Sequence, residues 1–154
     1  MAEPATQAPG QLGRPKDPYR GYNFKLEIQG VTEGHFAECS GLDIRVHAIA
    51  YREGGDPQVV RRLPGPVEYG DITLRYGLTD SRELWDWFAT SVAGRVDRRA
   101  VSVVMLDSDG VQPVVRWNLF DAWLSEWRGA PLNALDKGTA IESMTLVYER
   151  LERA

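Results

Sequence analysis

Apolar and polar residues alternate with a period of two in several separate segments of this chain, and this pattern limits its fold more than any other feature. Within residues 22–28, every second residue from Tyr22 to Ile28 is apolar or aromatic, and residues 141–151 repeat the pattern. Successive side chains of a β-strand point to opposite faces, so such segments form strands with one buried and one wet face. We therefore expect a fold built mainly from antiparallel strands.

Further strands are predicted over four segments, namely 36–51, 67–76, 101–106 and 113–124. The first is long for a single strand, and Ser40-Gly41 in its middle predicts a bulge or bend. The last two flank Asp109-Gly110, a pair typical of tight hairpin turns. A loop is predicted over 129–138.

One amphipathic helix is predicted between the strands. Asp80 is a candidate N-cap with Glu83 three residues later, and Gly94 is placed to end the helix. The face expected to lie on the sheet consists of Leu84, Phe88 and Val92, with Trp85 and Ala89 beside them.

The predicted fold is an antiparallel β-sandwich or open barrel with one flanking helix. The chain has 154 residues, which suits one domain, and we place this domain at 18–154 with a projecting loop at 51–66. Residues 1–17 contain Pro4, Pro9 and Pro15 and no apolar run, so they are expected to be a flexible arm. The arm either has no task or docks during assembly.

Few residues are available for catalysis or metal binding. One cysteine, Cys39, and two histidines, His35 and His47, cannot provide an intrachain disulfide or a cysteine-based zinc site. Their spacing fits no standard zinc pattern, and Glu38 beside Cys39 does not favour an activated thiol. The formal net charge of −4 does not favour nucleic-acid binding. We expect no enzyme activity, no cofactor and no metal.

Glycine and proline residues surround the apolar pair Val59-Val60 within residues 51–66. This composition predicts an extended loop or a β-arm that projects from the body of the domain. The alternative is a surface loop without a function.

Nine short segments, in order along residues 17–152, together resemble the inner-tube proteins of contractile phage tails and phage-tail-like injection systems. The segments are Phe36–Leu42, Tyr51–Gly55, Arg62–Gly65, Gly77–Asp80, Leu84–Trp87, Leu106–Gly110, Trp117-Asn118, Leu132–Ala134 and Ala140–Ser143. None is specific alone, and the resemblance depends on their order.

The resemblance implies a structural subunit of the inner tube, with a β-barrel or sandwich fold that assembles into hexameric rings. These rings would stack into a hollow channel for payload delivery, and assembly would take place in the bacterial cytoplasm. The implied partners are other copies of the chain, a sheath protein, the baseplate hub or spike with tube-initiator proteins, a tube cap or terminator, and a luminal cargo of effector protein or DNA. No membrane insertion is expected.

The resemblance also implies that the segment after residue 50 contacts the adjacent ring. Its implied interface residues are Tyr51, Arg52, Glu53, Gly54, Gly55, Val59, Val60, Arg61, Arg62, Leu63, Pro64 and Gly65. Two other interpretations remain open. One is a tube-initiator or adaptor ring at the baseplate end of the same machine, and the other is a small β-barrel binding module or hydrolase with no role in assembly.

Overall fold

The computed structural model describes residues 23–30, 36–52, 54–55, 59–78, 81–135 and 138–154. The elements in chain order are β1 (Phe24–Ile28), β2 (Glu38–Ser40), β3 (Ile44–Arg52), β4 (Val60–Tyr69), β5 (Ile72–Gly77), α1 (Glu83–Val92), β6 (Arg99–Leu106), β7 (Pro113–Arg128), β8 (Ile141–Val147) and β9 (Arg150–Arg153). The predicted arm at 1–17 lies outside the described residues. The prediction of a mainly antiparallel β fold with one helix is confirmed.

The strands form two sheets in the part of the chain that is described. The larger has the order β1-β6-β7-β8-β5-β2, with β9 also paired to β7, and the smaller consists of β3 and β4. The 16-residue β7 joins the two halves of the larger sheet, because its first part pairs with β6 and β9 and its second part with β8. At Asp121, between these parts, φ is 54° and the strand is irregular.

One hydrophobic core contains side chains from both halves of the larger sheet. Leu26 of β1 and Leu74 of β5 belong to the same buried cluster although several strands separate them, so the sheet curls around its own inner face. The cluster consists of Leu26, Ile28, Ile72, Leu74, Tyr76, Trp87, Val101, Val103, Leu119, Ala122, Leu124, Met144, Leu146 and Tyr148.

Helix α1 packs against β7, but its buried face differs from the predicted one. The buried residue is Trp87, whose indole Nε1 donates a hydrogen bond of 2.7 Å to the carbonyl oxygen of Asp97. Leu84 and Phe88 pack beside it as predicted, whereas Val92 is 73% exposed. The buried face of the helix is therefore rotated relative to the predicted face. The apolar spacing did not include Trp87, whose indole N–H can be buried because it makes this hydrogen bond.

The ends of α1 confirm one prediction and contradict another. The helix begins at Glu83, with Arg82 at the N-cap position and no side-chain cap hydrogen bond, so it begins later than predicted; the predicted cap, Asp80, lies outside the described residues. Gly94 has a φ of 74° and ends the helix as predicted.

Among the described residues, no helix is long and apolar enough to cross a membrane.

Three of the predicted strands are each divided in two. The segment 36–51 breaks at Gly41, where a bend was predicted, and 67–76 breaks at Gly70-Asp71. In both cases one half joins the larger sheet and the other half joins the smaller. The segment 141–151 divides into β8 and β9, which pair with different parts of β7. The alternation is interrupted at Gly41 and changes phase after Tyr69 and after Tyr148, but it does not reveal which strand each half pairs with.

Candidate assembly interface

Strands β3 and β4 form a long antiparallel hairpin that stands apart from the larger sheet. Their register runs from Ile44 opposite Tyr69 at the base to Arg52 opposite Val60 near the tip. We name this segment, residues 44–69, the hairpin arm. Its two strands pair with each other and, among the described residues, with no other strand.

The base of the hairpin arm is fixed to the body by close backbone contacts. Gly41 has a φ of 97°, and a Cβ there would lie 2.2 Å from the backbone oxygen of Asp71. The backbone N–H of Gly70 donates to the oxygen of Asp43 across a distance of 2.9 Å. Only glycine allows the chain to leave and re-enter the larger sheet this closely.

Aromatic packing continues this attachment. The rings of Tyr69 and Tyr148 lie 5.8 Å apart, and Tyr69 packs against the core together with Leu42. Burial, together with the nearby carboxylates of Asp71 and Asp43, raises the pKa of Tyr148 to about 12. The direction of the hairpin arm is therefore set by the fold of the body.

A β-bulge in the middle of the hairpin arm determines which side chains share a face. Val46 lies opposite Val67 and Ala48 opposite Pro64, so Gly65 and Pro66 together face the single residue His47. A Cβ on Gly65 would lie 2.8 Å from the backbone oxygen of His47, so glycine is required here. The extra residue shifts the alternation of β4 by one position.

As a result, both faces of the hairpin arm carry apolar side chains. One face has Ile44, Val46, Val67 and Tyr69 near the base and Val60 at the tip, and the other has Ile49, Tyr51, Leu63 and the aliphatic part of Arg61 towards the tip. On the second face the base is polar, where Nε2 of His47 lies 2.6 Å from Oε2 of Glu68.

These apolar side chains are unusually exposed for a folded domain. Eight of them are between 44% and 53% exposed, namely Ile44, Val46, Ile49, Tyr51, Val59, Val60, Leu63 and Val67. Monomeric proteins rarely leave a contiguous apolar surface of this kind open to water, and such surfaces typically mark interaction sites.

The structure brings most of the residues implied by the resemblance into this one arm. Tyr51 and Arg52 end β3, Gly54 and Gly55 lie in the turn, and Val59 precedes β4. The remaining described ones are consecutive on β4, namely Val60, Arg61, Arg62, Leu63, Pro64 and Gly65. Glu53 lies outside the described residues.

Residues 51–66 were predicted to be an extended loop or a β-arm; the described part is the outer end of a β-arm, whose strands Ile44–Arg52 and Val60–Tyr69 extend beyond the predicted bounds. Sequence reasoning missed Ile44, Val46, Ile49 and Val67, since their alternation predicts ordinary core strands. The sequence signal for a separate arm was the pair of glycines, Gly41 and Gly70, because the strands break at these positions and the apolar residues between them lie outside the core.

The residues considered for catalysis or metal binding in the sequence are not brought together into such a site among the described residues. Burial, with a smaller contribution from the adjacent Glu38 carboxylate, raises the pKa of the Cys39 thiol to about 11. The described residues contain no cluster of three or more His, Cys, Asp or Glu that could hold a metal ion. His35 lies outside the described residues.

A depression of about 550 Å³ lies on β5, β7 and β8 and is open to solvent, with Thr73, Arg75 and Glu126 in its lining.

Comparison with known proteins identifies the family. The family model described as "T4-like virus tail tube protein gp19" matches residues 20–152. No curated protein sequence matches the chain.

Solved structures show the same architecture. A chain of the sheath-tube complex of an extracellular contractile injection system, PVC, in the extended state has a TM-score of 0.79 and 25% identity, and the match covers 89% of this chain and 91% of that one. A chain of the PVC sheath/tube terminator, also in the extended state, has a TM-score of 0.83 and 25% identity, covering 92% and 99%. A chain of the tube-terminating cap of the anti-feeding prophage, with a TM-score of 0.80 and 23% identity over 100% and 99%, shows the shared fold.

The family match covers most of the chain, and the compared structures have the same fold over nearly their full lengths. This chain therefore belongs to the T4-like virus tail tube protein gp19 family and is a contractile tail tube-like protein.

Proposed function

We propose that this chain is the repeating subunit of the inner tube of a contractile injection system or phage tail. Copies assemble into hexameric rings, and the rings stack into a hollow channel through which a payload is delivered. The single observation that carries this proposal is the hairpin arm, which is fixed at its base and exposes apolar side chains on both faces.

The energetics support assembly through this arm. Full burial of a Val, Leu or Ile side chain contributes about 1.5–3 kcal/mol, so covering a half-exposed one adds roughly 1 kcal/mol. Eight such side chains on each copy can therefore offset a substantial part of the entropy that association costs. Each copy in a stack would make the same contacts, so the gain repeats along the polymer.

The proposed partners are based on the compared structures, which are a sheath-tube complex, a sheath/tube terminator and a tube-terminating cap. We extend these to a sheath protein around the tube, a terminator or cap at one end, and the baseplate hub, spike and initiator proteins at the other. The cargo of the channel would be an effector protein or DNA.

A second candidate function is a terminal ring of the same machine, such as the initiator or adaptor ring at the baseplate end. The likeness to a terminator chain favours a terminal role in general, because its TM-score of 0.83 is slightly above the 0.79 of the sheath-tube chain. A terminal ring would contact other rings on one side only and would not polymerise.

Electron microscopy of the purified full-length chain at increasing concentration tests the two candidates. The repeating subunit is expected to form long tubes with a central channel. Isolated rings that never lengthen would contradict the repeating role and support the terminal one. Persistent monomers at every concentration would contradict both.

A further inference from the structure

The hairpin arm leaves the larger sheet at one end of β5 and β8. Ile72, the first residue of β5, lies opposite Leu146, near the last residue of β8. The hairpin arm reaches this end through Gly41 and Gly70.

Three further exposed leucines belong to segments that leave the opposite end of the same two strands. Gly77, the last residue of β5, lies opposite Ile141, the first residue of β8, and the N–H of Leu78 donates to the oxygen of Ala140. The loop from β7 to β8 emerges at this end, because Arg128 pairs with Ser143. We name the exposed leucines at this end, Leu78, Leu132 and Leu135, the leucine patch.

The leucine patch is held outward by local structure. Leu132 is 84% exposed and Leu135 is 91% exposed, so neither stabilises the core of the isolated chain. The backbone N–H of Leu135 donates to Oδ1 of Asn133 over 3.0 Å, which is a turn closed by a side chain. These leucines are thus presented to solvent on an ordered turn.

A polymer of identical copies that grows in one direction needs two different surfaces that fit each other. If one surface of such a contact is the hairpin arm, its partner surface must lie elsewhere on the chain. The leucine patch lies at the other end of the same strands, where a copy displaced along the strand direction would bring its hairpin arm. Both surfaces are apolar and exposed in the single copy.

Charge adds to this fit. The described residues of the segments 78–86 and 129–142, which contain the leucine patch, include three acidic residues and one basic residue. The described residues of the outer hairpin arm, within 51–63, include three arginines and no acidic residue. Opposite net charge at the two surfaces favours contact between the two different ends over contact between like ends.

We propose that the leucine patch is the docking surface for the hairpin arm of another copy. This inference rests on the proposed function, because it names the partner surface for the stacking contact. It assigns a role to residues 132 and 135 that the fold of a single copy does not require.

The first test compares two double variants and one single control variant of the full chain. Leu132→Ser with Leu135→Ser is expected to raise the concentration needed for polymerisation at least about tenfold, while the thermal unfolding midpoint stays unchanged. The matched control is Val111→Ser, a 71% exposed residue in the turn between β6 and β7, which is expected to polymerise like the wild type. The third variant, Ile49→Ser with Leu63→Ser, removes the outer apolar face of the hairpin arm and is also expected to block polymerisation.

Mixing the two blocked variants tests complementarity directly. The leucine variant keeps an intact hairpin arm and the hairpin variant keeps an intact leucine patch. The mixture is therefore expected to give a discrete complex of both variants in sedimentation velocity experiments, whereas each variant alone does not.

Normal polymerisation of the leucine variant, combined with failure of the hairpin variant, would overturn this inference and leave the proposed function standing. Two blocked variants that form no complex when mixed would also overturn it. A wild-type chain that never polymerises would instead contradict the proposed repeating role.

Discussion

Gly41 is the residue at which the chain turns from the larger sheet into the hairpin arm. The bend at this position follows from the sequence, because a glycine interrupts the alternation there. Its close approach to Asp71 does not, since the two residues lie 30 positions apart and meet only in the folded chain.

Gly41→Ala is expected to destabilise the chain by about 2–3 kcal/mol, because a methyl group would meet the Asp71 oxygen and the positive φ adds strain. The matched control is Gly110→Ala, which has a φ of 73° with nothing within 4 Å and is expected to cost about 1 kcal/mol. Urea unfolding measures both. Equal losses in the two variants would contradict a specific contact at Gly41.

Cys39 gives a second prediction at this scale. The unfolded chain loses the thiol proton near the ordinary pKa of 9.0, whereas the folded chain keeps it until the pKa of about 11. The folded state therefore loses stability as the pH rises from 9 to 11, and Cys39 contributes on the order of 1 kcal/mol to this loss. Cys39→Ala is expected to show a smaller loss over this range and to polymerise normally. An identical pH dependence in both proteins would contradict the burial of the thiol.

Helix α1 shows how an element can be predicted correctly while its orientation is not. Its location and its end at Gly94 follow from the sequence. Trp87 becomes the buried residue because its indole N–H reaches the oxygen of Asp97, and the guanidinium carbon of Arg99 lies 5.2 Å from its ring centroid. Both partners come from the segment after the helix, which the helical spacing does not describe.

Trp87→Ala is expected to cost about 3–5 kcal/mol, the range for removing a large buried aromatic side chain. Val92→Ala, on the same helix, is expected to change stability by less than about 0.5 kcal/mol because the side chain is exposed. Chemical denaturation of both variants measures the difference. A larger loss for Val92→Ala than for Trp87→Ala would mean that the helix packs through the face first predicted.

The hairpin arm can be tested as an element by shortening it. Deletion of residues 56–62 removes the outer part of β4, Val60 to Arg62, which belongs to the smaller sheet and not to the core cluster. The thermal unfolding midpoint is expected to fall by no more than a few degrees, and tube formation is expected to be lost. Tubes that form normally from the shortened chain would contradict the assembly role of the arm.

At the scale of the whole molecule, the antiparallel β architecture, the single helix and the projecting arm could be predicted from local patterns. The division of the strands between two sheets could not. Residues 44–52 and 60–69 alternate like core strands, yet their apolar side chains remain half exposed because β3 and β4 pair only with each other. A sequence pattern records that a face is apolar, but not whether the face is covered by the same copy or by another one.

The proposed function would also explain why so much of the apolar surface remains open in one copy. A tube subunit would need a stable body before assembly and exposed surfaces that are covered during it. On this proposal the core of the larger sheet supplies the first, and the hairpin arm supplies the second.

Electron cryo-microscopy of the polymer formed by the full-length chain is the most direct test of assembly through the hairpin arm. We expect a hollow tube in which the arm of each copy is buried against another copy and its eight apolar side chains are covered. A tube in which the arm remains in solvent, or a chain that stays monomeric at every concentration, would contradict this central claim.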